Sequence, residues 1–230
     1  EVPKNSLTTD IKSLELTKAA YQIQKDILSN NIAIAQTLRN LGVIYFALSN
    51  YKKSLELLEK ALLMEEKLFG KNHIKSSPTF CYLGIVHNAL GDFKKSLALS
   101  KKALLLQEKH LGMDHLDNAY ILRQLGRIYR SLGDFKQSLK LLKRSMDILE
   151  KHFETENIEK SYTLCQLGRV YRSMGQHEKS LKTLLDALEI IKKYPGEEHL
   201  YSGYVINQLG ITHRALGNYT KSLTFLEKAL

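Results

Sequence analysis

A Leu-Gly pair recurs at residues 41–42, 83–84, 125–126, 167–168 and 209–210, each 42 residues after the last. No other feature constrains the fold as much. A fixed period of this size means one supersecondary unit repeated, each burying its apolar face against its neighbours. The frame around each pair is constant: LGVIYFALSNYKKSL, LGIVHNALGDFKKSL, LGRIYRSLGDFKQSL, LGRVYRSMGQHEKSL and LGITHRALGNYTKSL. An aromatic residue or His lies three past the Gly and a turn follows. A second aromatic or His then opens a stretch carrying Lys-Ser-Leu or a close variant.

Each unit reads as two helices. Ile121, Leu122, Leu125, Ile128, Tyr129 and Leu132 follow the three-to-four spacing of one helical face. Gly133 supplies a left-handed position past the helix end, and Asp134 is a good N-cap for the next helix. Phe135, Leu139, Leu142, Met146 and Leu149 carry the second stripe. The turn recurs as Gly91-Asp92, Gly175-Gln176 and Gly217-Asn218, with Ser49-Asn50 the copy that departs most. A Gly inside a helix costs about 1 kcal/mol against Ala. Its return at 42, 84, 126, 168 and 210 predicts a partner helix too close for a Cβ.

A small residue inside the first helix, an aromatic three later, a Gly turn and a small residue after the next aromatic resemble the tetratricopeptide repeat. Ser54, Ser96, Ser138, Ser180 and Ser222 stand where that family usually has Ala. The 42-residue length and the loops GKNH (70–73), GMDH (112–115) and GEEH (196–199) are similar to the kinesin-light-chain type. The resemblance implies an all-α, right-handed α-solenoid of antiparallel helix pairs. Its repeats would span 32–73, 74–115, 116–157, 158–199 and a truncated 200–230, in one continuous solenoid. Residues 13–28 align with 54–69, so residues 1–31 read as the second helix of an incomplete upstream repeat. Neither end carries a polar cap, which points to a piece of a longer protein and leaves self-association through the ends as a further expectation.

The composition is globular, with 43% hydrophobic residues, 25% charged and three prolines. It excludes a disordered or collagen-like chain. No apolar run approaches the ~18 residues of a membrane span, and EVPKNSLTTDIKSLELTK shows no signal-peptide core. Two cysteines, Cys81 and Cys165, are too few for a disulfide scaffold and point to a reducing, cytoplasmic setting. They fall two repeats apart and are expected to react as unpaired thiols. Catalytic motifs and metal-ligand spacings are absent, and His87 and His213 replace tyrosines as packing residues. The expectation is no enzyme, no cofactor and no metal.

A net charge of +10 makes acidic protein segments or nucleic acid plausible partners. In the tetratricopeptide family the first helices line a concave groove. The resemblance places the groove positions six, three and two residues before the small Gly and one, four and five after it. Those positions hold Arg39, Arg123, Arg127, Arg130, Arg169, Arg172 and Arg214, seven of the eight arginines, with none of the 26 lysines and no acid. Tyr82, Tyr120, Tyr162 and Tyr204 and the ladder Gln124, Gln166 and Gln208 share them. Kinesin light chains use an Asn three before the small residue; here only Asn207 matches, and Arg39, Cys81, Arg123 and Cys165 depart.

Arg pairs carboxylate with two bonds and stacks on aromatics, which Lys does not. The expectation is therefore a scaffold binding an extended acidic segment of another protein in an Arg/Tyr-lined groove. Repeats one and two would add an apolar end through Val43, Phe46, Tyr82 and Ile85. Two other readings stay open. Arg and Tyr suit single-stranded RNA. The motif is also similar to arrays that act as docking modules beside a catalytic or switch domain.

Overall fold

The computed structural model describes residues 13–22, 32–155, 157–194 and 198–229. All the regular structure among them is helical. Residues 13–22 form α1; then come α2 (Ile32–Ala47), α3 (Tyr51–Phe69), α4 (Ser77–Ala89) and α5 (Phe93–Leu111). The rest are α6 (Leu116–Ser131), α7 (Phe135–His152), α8 (Ile158–Ser173), α9 (His177–Ile191), α10 (Glu198–Ala215) and α11 (Tyr219–Lys228). One 3-10 turn, Ile74–Ser76, precedes α4. Most of the upstream segment expected as a helix, 1–12 and 23–31, lies outside the described residues.

The chain divides into two compact units, residues 1–113 and 114–230. In the first, α2 pairs with α3 and α4 with α5, and α3 packs on α4. Leu14 of α1 joins the core of Ile34, Leu38, Leu41, Leu57 and Ala61, as a preceding second helix would. In the second unit, α6–α7, α8–α9 and α10–α11 are the hairpins, and α7 packs on α8 and α9 on α10. The first helices also touch in sequence, α6 against α8 and α8 against α10. This is the α-solenoid arrangement, in which each hairpin's exposed stripe is covered by the next.

The in-helix glycines sit where the hairpins are tightest. A Cβ on Gly126 or Gly168 would lie 2.7 Å from the Cγ of Leu142 or Leu184, and one on Gly42 equally close to Leu58. Ser, in place of Ala, has a job that sequence alone did not show. The hydroxyls of Ser54, Ser96 and Ser138 donate to the carbonyls of Gly42, Gly84 and Gly126, each at 2.7 Å. The close approach that excludes a Cβ thus brings a second-helix hydroxyl onto a first-helix carbonyl, and all three serines are fully buried.

Turn chemistry follows the repeat. Gly91, Gly133, Gly175 and Gly217 hold φ between 76° and 79°, and Ser49 adopts 59° at the equivalent place. Asn50, Asp92 and Asp134 accept the N-capping bonds of α3, α5 and α7. At the other end of the repeat, His73, His115 and Asn157 accept backbone N–H bonds from the residue two further on. Two of the histidines thus serve as caps.

Candidate functional site

The first unit contains two of the expected groove residues. Arg39 of α2 donates to Glu65 of α3 at 2.8 Å, and Thr79 of α4 donates to the same carboxylate oxygen at 2.9 Å. Glu65 is 2% exposed. Burial raises its carboxyl above the usual range, and Thr79 and Arg39 oppose that rise. Arg39 is therefore committed to an internal ion pair. Tyr82 is half-buried against the cluster of Leu58, Leu83 and Val86.

In the second unit, α6, α8 and α10 carry the remaining expected residues. Gln124, Gln166 and Gln208 are buried, and their side chains hold arginines rather than facing a ligand. Arg127 donates to Gln124 at 2.8 Å and Arg169 to Gln166 at 3.1 Å, the same bond in consecutive repeats. Arg172 reaches from α8 to α10, where it donates to the side-chain oxygen of Gln208 at 2.9 Å and to the hydroxyl of Thr212 at 3.3 Å. Arg123 donates to Glu159, at the start of α8, at 2.6 Å and is itself buried. Asn207 and Arg214 are exposed.

The tyrosines are stacked inside this array. The Arg123 guanidinium lies 5.3 Å from the Tyr120 ring centre and 5.4 Å from that of Tyr162, and Arg169 lies 5.7 Å from that of Tyr204. Tyr201, which sequence reasoning passed over, completes the row, 4.2 Å from Tyr162 edge-on and 5.6 Å from Tyr204. It sits nine residues before the repeat Gly, outside the groove positions and at the place Glu159 holds one repeat earlier. Cys165 lies against Tyr201 and is buried, so its thiol is pushed up to about 11; burial raises Tyr201 as well.

A set of cations without acids remains. Arg127 and Arg130 lie one turn apart on α6, and Arg169 and Arg172 one turn apart on α8. Among the described residues none of the four, nor Arg214, is ion-paired with an acidic side chain. Burial pushes Arg130 down to about 10, and the charges of Arg169, Arg127 and Arg172 push it the same way. Arg127 and Arg172 are lowered by burial and then by Arg169. The Nε–H groups of Arg130 and Arg169 are buried without a hydrogen-bond partner. Like charges at this helical spacing destabilise by a few tenths of a kcal/mol per pair, and unpaired buried donors by more. Such an arrangement can accept an anion.

Cys81 and Cys165 form no disulfide, and both are buried. Among the described residues no group of three or more His, Cys, Asp or Glu could hold a metal ion, and no helix is long and apolar enough to cross a membrane.

Helix pairs of this length, glycine contacts of this kind and first helices that touch from one repeat to the next define a repeat scaffold. The tetratricopeptide-repeat sequence model matches residues 33–95, 76–151 and 159–230, and the chain belongs to that family. Members of the family generally serve as protein–protein interaction scaffolds and are typically non-catalytic. Among solved structures, BtubC (BKLC) from P. vanneervenii is similar at 15% identity and TM-score 0.70, over 98% of this chain and 89% of that one. The nearly identical TPR-like repeats of a kinesin-light-chain-like protein of Podosopora anserina align at 20% identity and TM-score 0.65, over 86% and 94% of the two chains. A thermophilic TPR protein of Thermus thermophilus aligns at 21% and 0.64, over 85% and 90%. At these identities the likeness is one of fold. No curated protein matches the chain in sequence.

Proposed function

We propose that residues 114–230 bind an extended acidic segment of a partner protein along the first-helix row α6, α8 and α10. The observation that carries this reading is the set of half-buried arginines, 127, 130, 169 and 172, without an acidic partner among the described residues. Gln124 and Gln166 hold two of them in one orientation, which lowers the ordering cost of binding. Arg123 and Arg39 already have carboxylate partners and act as struts. The RNA reading loses support at the tyrosines, because guanidinium groups already stack on Tyr120, Tyr162 and Tyr204.

The test is fluorescence anisotropy with a labelled nonapeptide of alternating Glu and Ser. A charge-assisted hydrogen bond contributes about 1.5–3 kcal/mol. Arg127→Glu with Arg169→Glu is therefore expected to weaken binding at least ~100-fold. Lys140→Glu with Lys182→Glu makes the same charge change at exposed positions on α7 and α9 and is expected to matter little. Equal losses from both pairs would mean that the peptide reads net charge, and the groove reading would fail.

A further inference from the structure

We infer that the arginines of α6 and α8 form a receptor for one phosphorylated side chain within the bound segment, an inference that rests on the acidic-segment reading and narrows it. The geometry is compact. Arg127 and Arg130 are three apart on α6, Arg169 and Arg172 three apart on α8, and the two helices lie against each other. Side chains three apart on a helix start ~5–6 Å from each other, and neighbouring helix axes lie ~8–10 Å apart. Four guanidinium groups therefore start from the corners of a small quadrilateral.

An extended segment presents same-side carboxylates about two residues apart, near 7 Å, so they spread along the row rather than gather at one point. A phosphate monoester concentrates nearly two charges and three terminal oxygens on one centre. Arg forks match that arrangement. The donors are positioned for it. Arg127 and Arg169 each spend one Nη on a glutamine, which fixes the guanidinium, while the buried Nε–H groups of Arg130 and Arg169 have no acceptor. The concentration of charge belongs to α6 and α8, because the position equivalent to Arg127 and Arg169 on α10 is Ile211.

The experiment uses the full chain and three labelled probes: the Glu/Ser nonapeptide, the same peptide with its central serine phosphorylated, and a uridine decanucleotide. Phosphorylation is expected to tighten binding at least ~10-fold. Arg130→Gln should remove most of that gain, weakening the phosphorylated peptide by a clearly larger factor than the unmodified one. Arg130→Lys, which keeps charge but not the fork, should remove a large part of it, with circular dichroism confirming the fold of both variants. Inorganic phosphate should compete with the phosphorylated peptide. If phosphorylation gives no gain while Arg127→Glu with Arg169→Glu still abolishes peptide binding, the phosphate inference falls and the acidic-segment reading stands. A gain that survives Arg130→Gln also overturns it. Tighter binding of the oligonucleotide than of either peptide, or binding of no probe, overturns both.

Discussion

Glu65 is a carboxylate with 2% exposure, and its charge is met by Arg39 and Thr79 within 3 Å. Its folded pKa lies above the ordinary value because burial outweighs those partners. A raised carboxyl contributes stability below its unfolded pKa that is lost as pH rises through its folded pKa, so the ionised form opposes folding near neutrality. Without Arg39 that opposition grows. Arg39→Leu is expected to lose about 3–5 kcal/mol at pH 7 and distinctly less at pH 4, where the carboxyl takes up a proton. Urea unfolding at the two pH values measures both; an equal loss would show that the stranded charge is not the cause. The cysteines make a second case at this scale. Cys165 is fully buried beside Tyr201 with its thiol pushed up to about 11, and Cys81 is 1% exposed. A thiol reagent at pH 8 should label neither in the folded chain and both in urea. Rapid labelling of Cys165 in buffer would mean that α8 and α10 part readily.

Within the helical hairpins, the turn between α2 and α3 is the one out of line. Ser49 carries φ of 59°, a region that costs an L-residue about 1–2 kcal/mol, where four sister turns use Gly. Part of the relief is offset by the larger entropy Gly loses on folding. Ser49→Gly should therefore raise stability by about 0.5–1 kcal/mol, read as a shift of the urea midpoint without a change in slope. A decrease would mean that the Ser49 side chain makes a contact outweighing the strain. The turn was legible in the sequence because Gly, Asp and Asn have local conformational reasons to recur at fixed offsets. The five in-helix glycines were legible for the same kind of reason, and the Leu142 and Leu184 contacts supply the crowding they imply. The fate of the arginines was not. Arg39 and Arg123 find Glu65 and Glu159, one on a second helix and one nine residues before a repeat Gly. A reading confined to the six groove positions of each first helix has no place for either. Tyr201 escaped for the same reason, since its stacking on Tyr162 joins two repeats.

At the scale of the whole molecule, the described helices of each unit pack on the helices next to them in the chain, and first helices also touch the next first helix. The packing runs from α2 to α3 to α4 in the first unit and from α7 to α8, and from α9 to α10, in the second. Stability in such an array is close to a sum of repeat and nearest-neighbour terms, and opening need not be global. Leu184 tests this, because it is fully buried, fills the space beside Gly168 and belongs to the core shared by α8, α9 and α10. Leu184→Ala should cost about 2–5 kcal/mol locally, with the spread set by how far the site collapses. Amide hydrogen exchange followed by mass spectrometry should then show protection lost in peptides from 158–191 and 198–215. Peptides from 32–69 should exchange as in the parent. In an all-or-none domain the same substitution would lower protection everywhere by one amount. Uniform loss would therefore contradict nearest-neighbour coupling. It would also mean that a ligand on α6 and α8 stabilises α2 and α3 as strongly as the helices it touches, whereas local loss confines that stabilisation to the second unit.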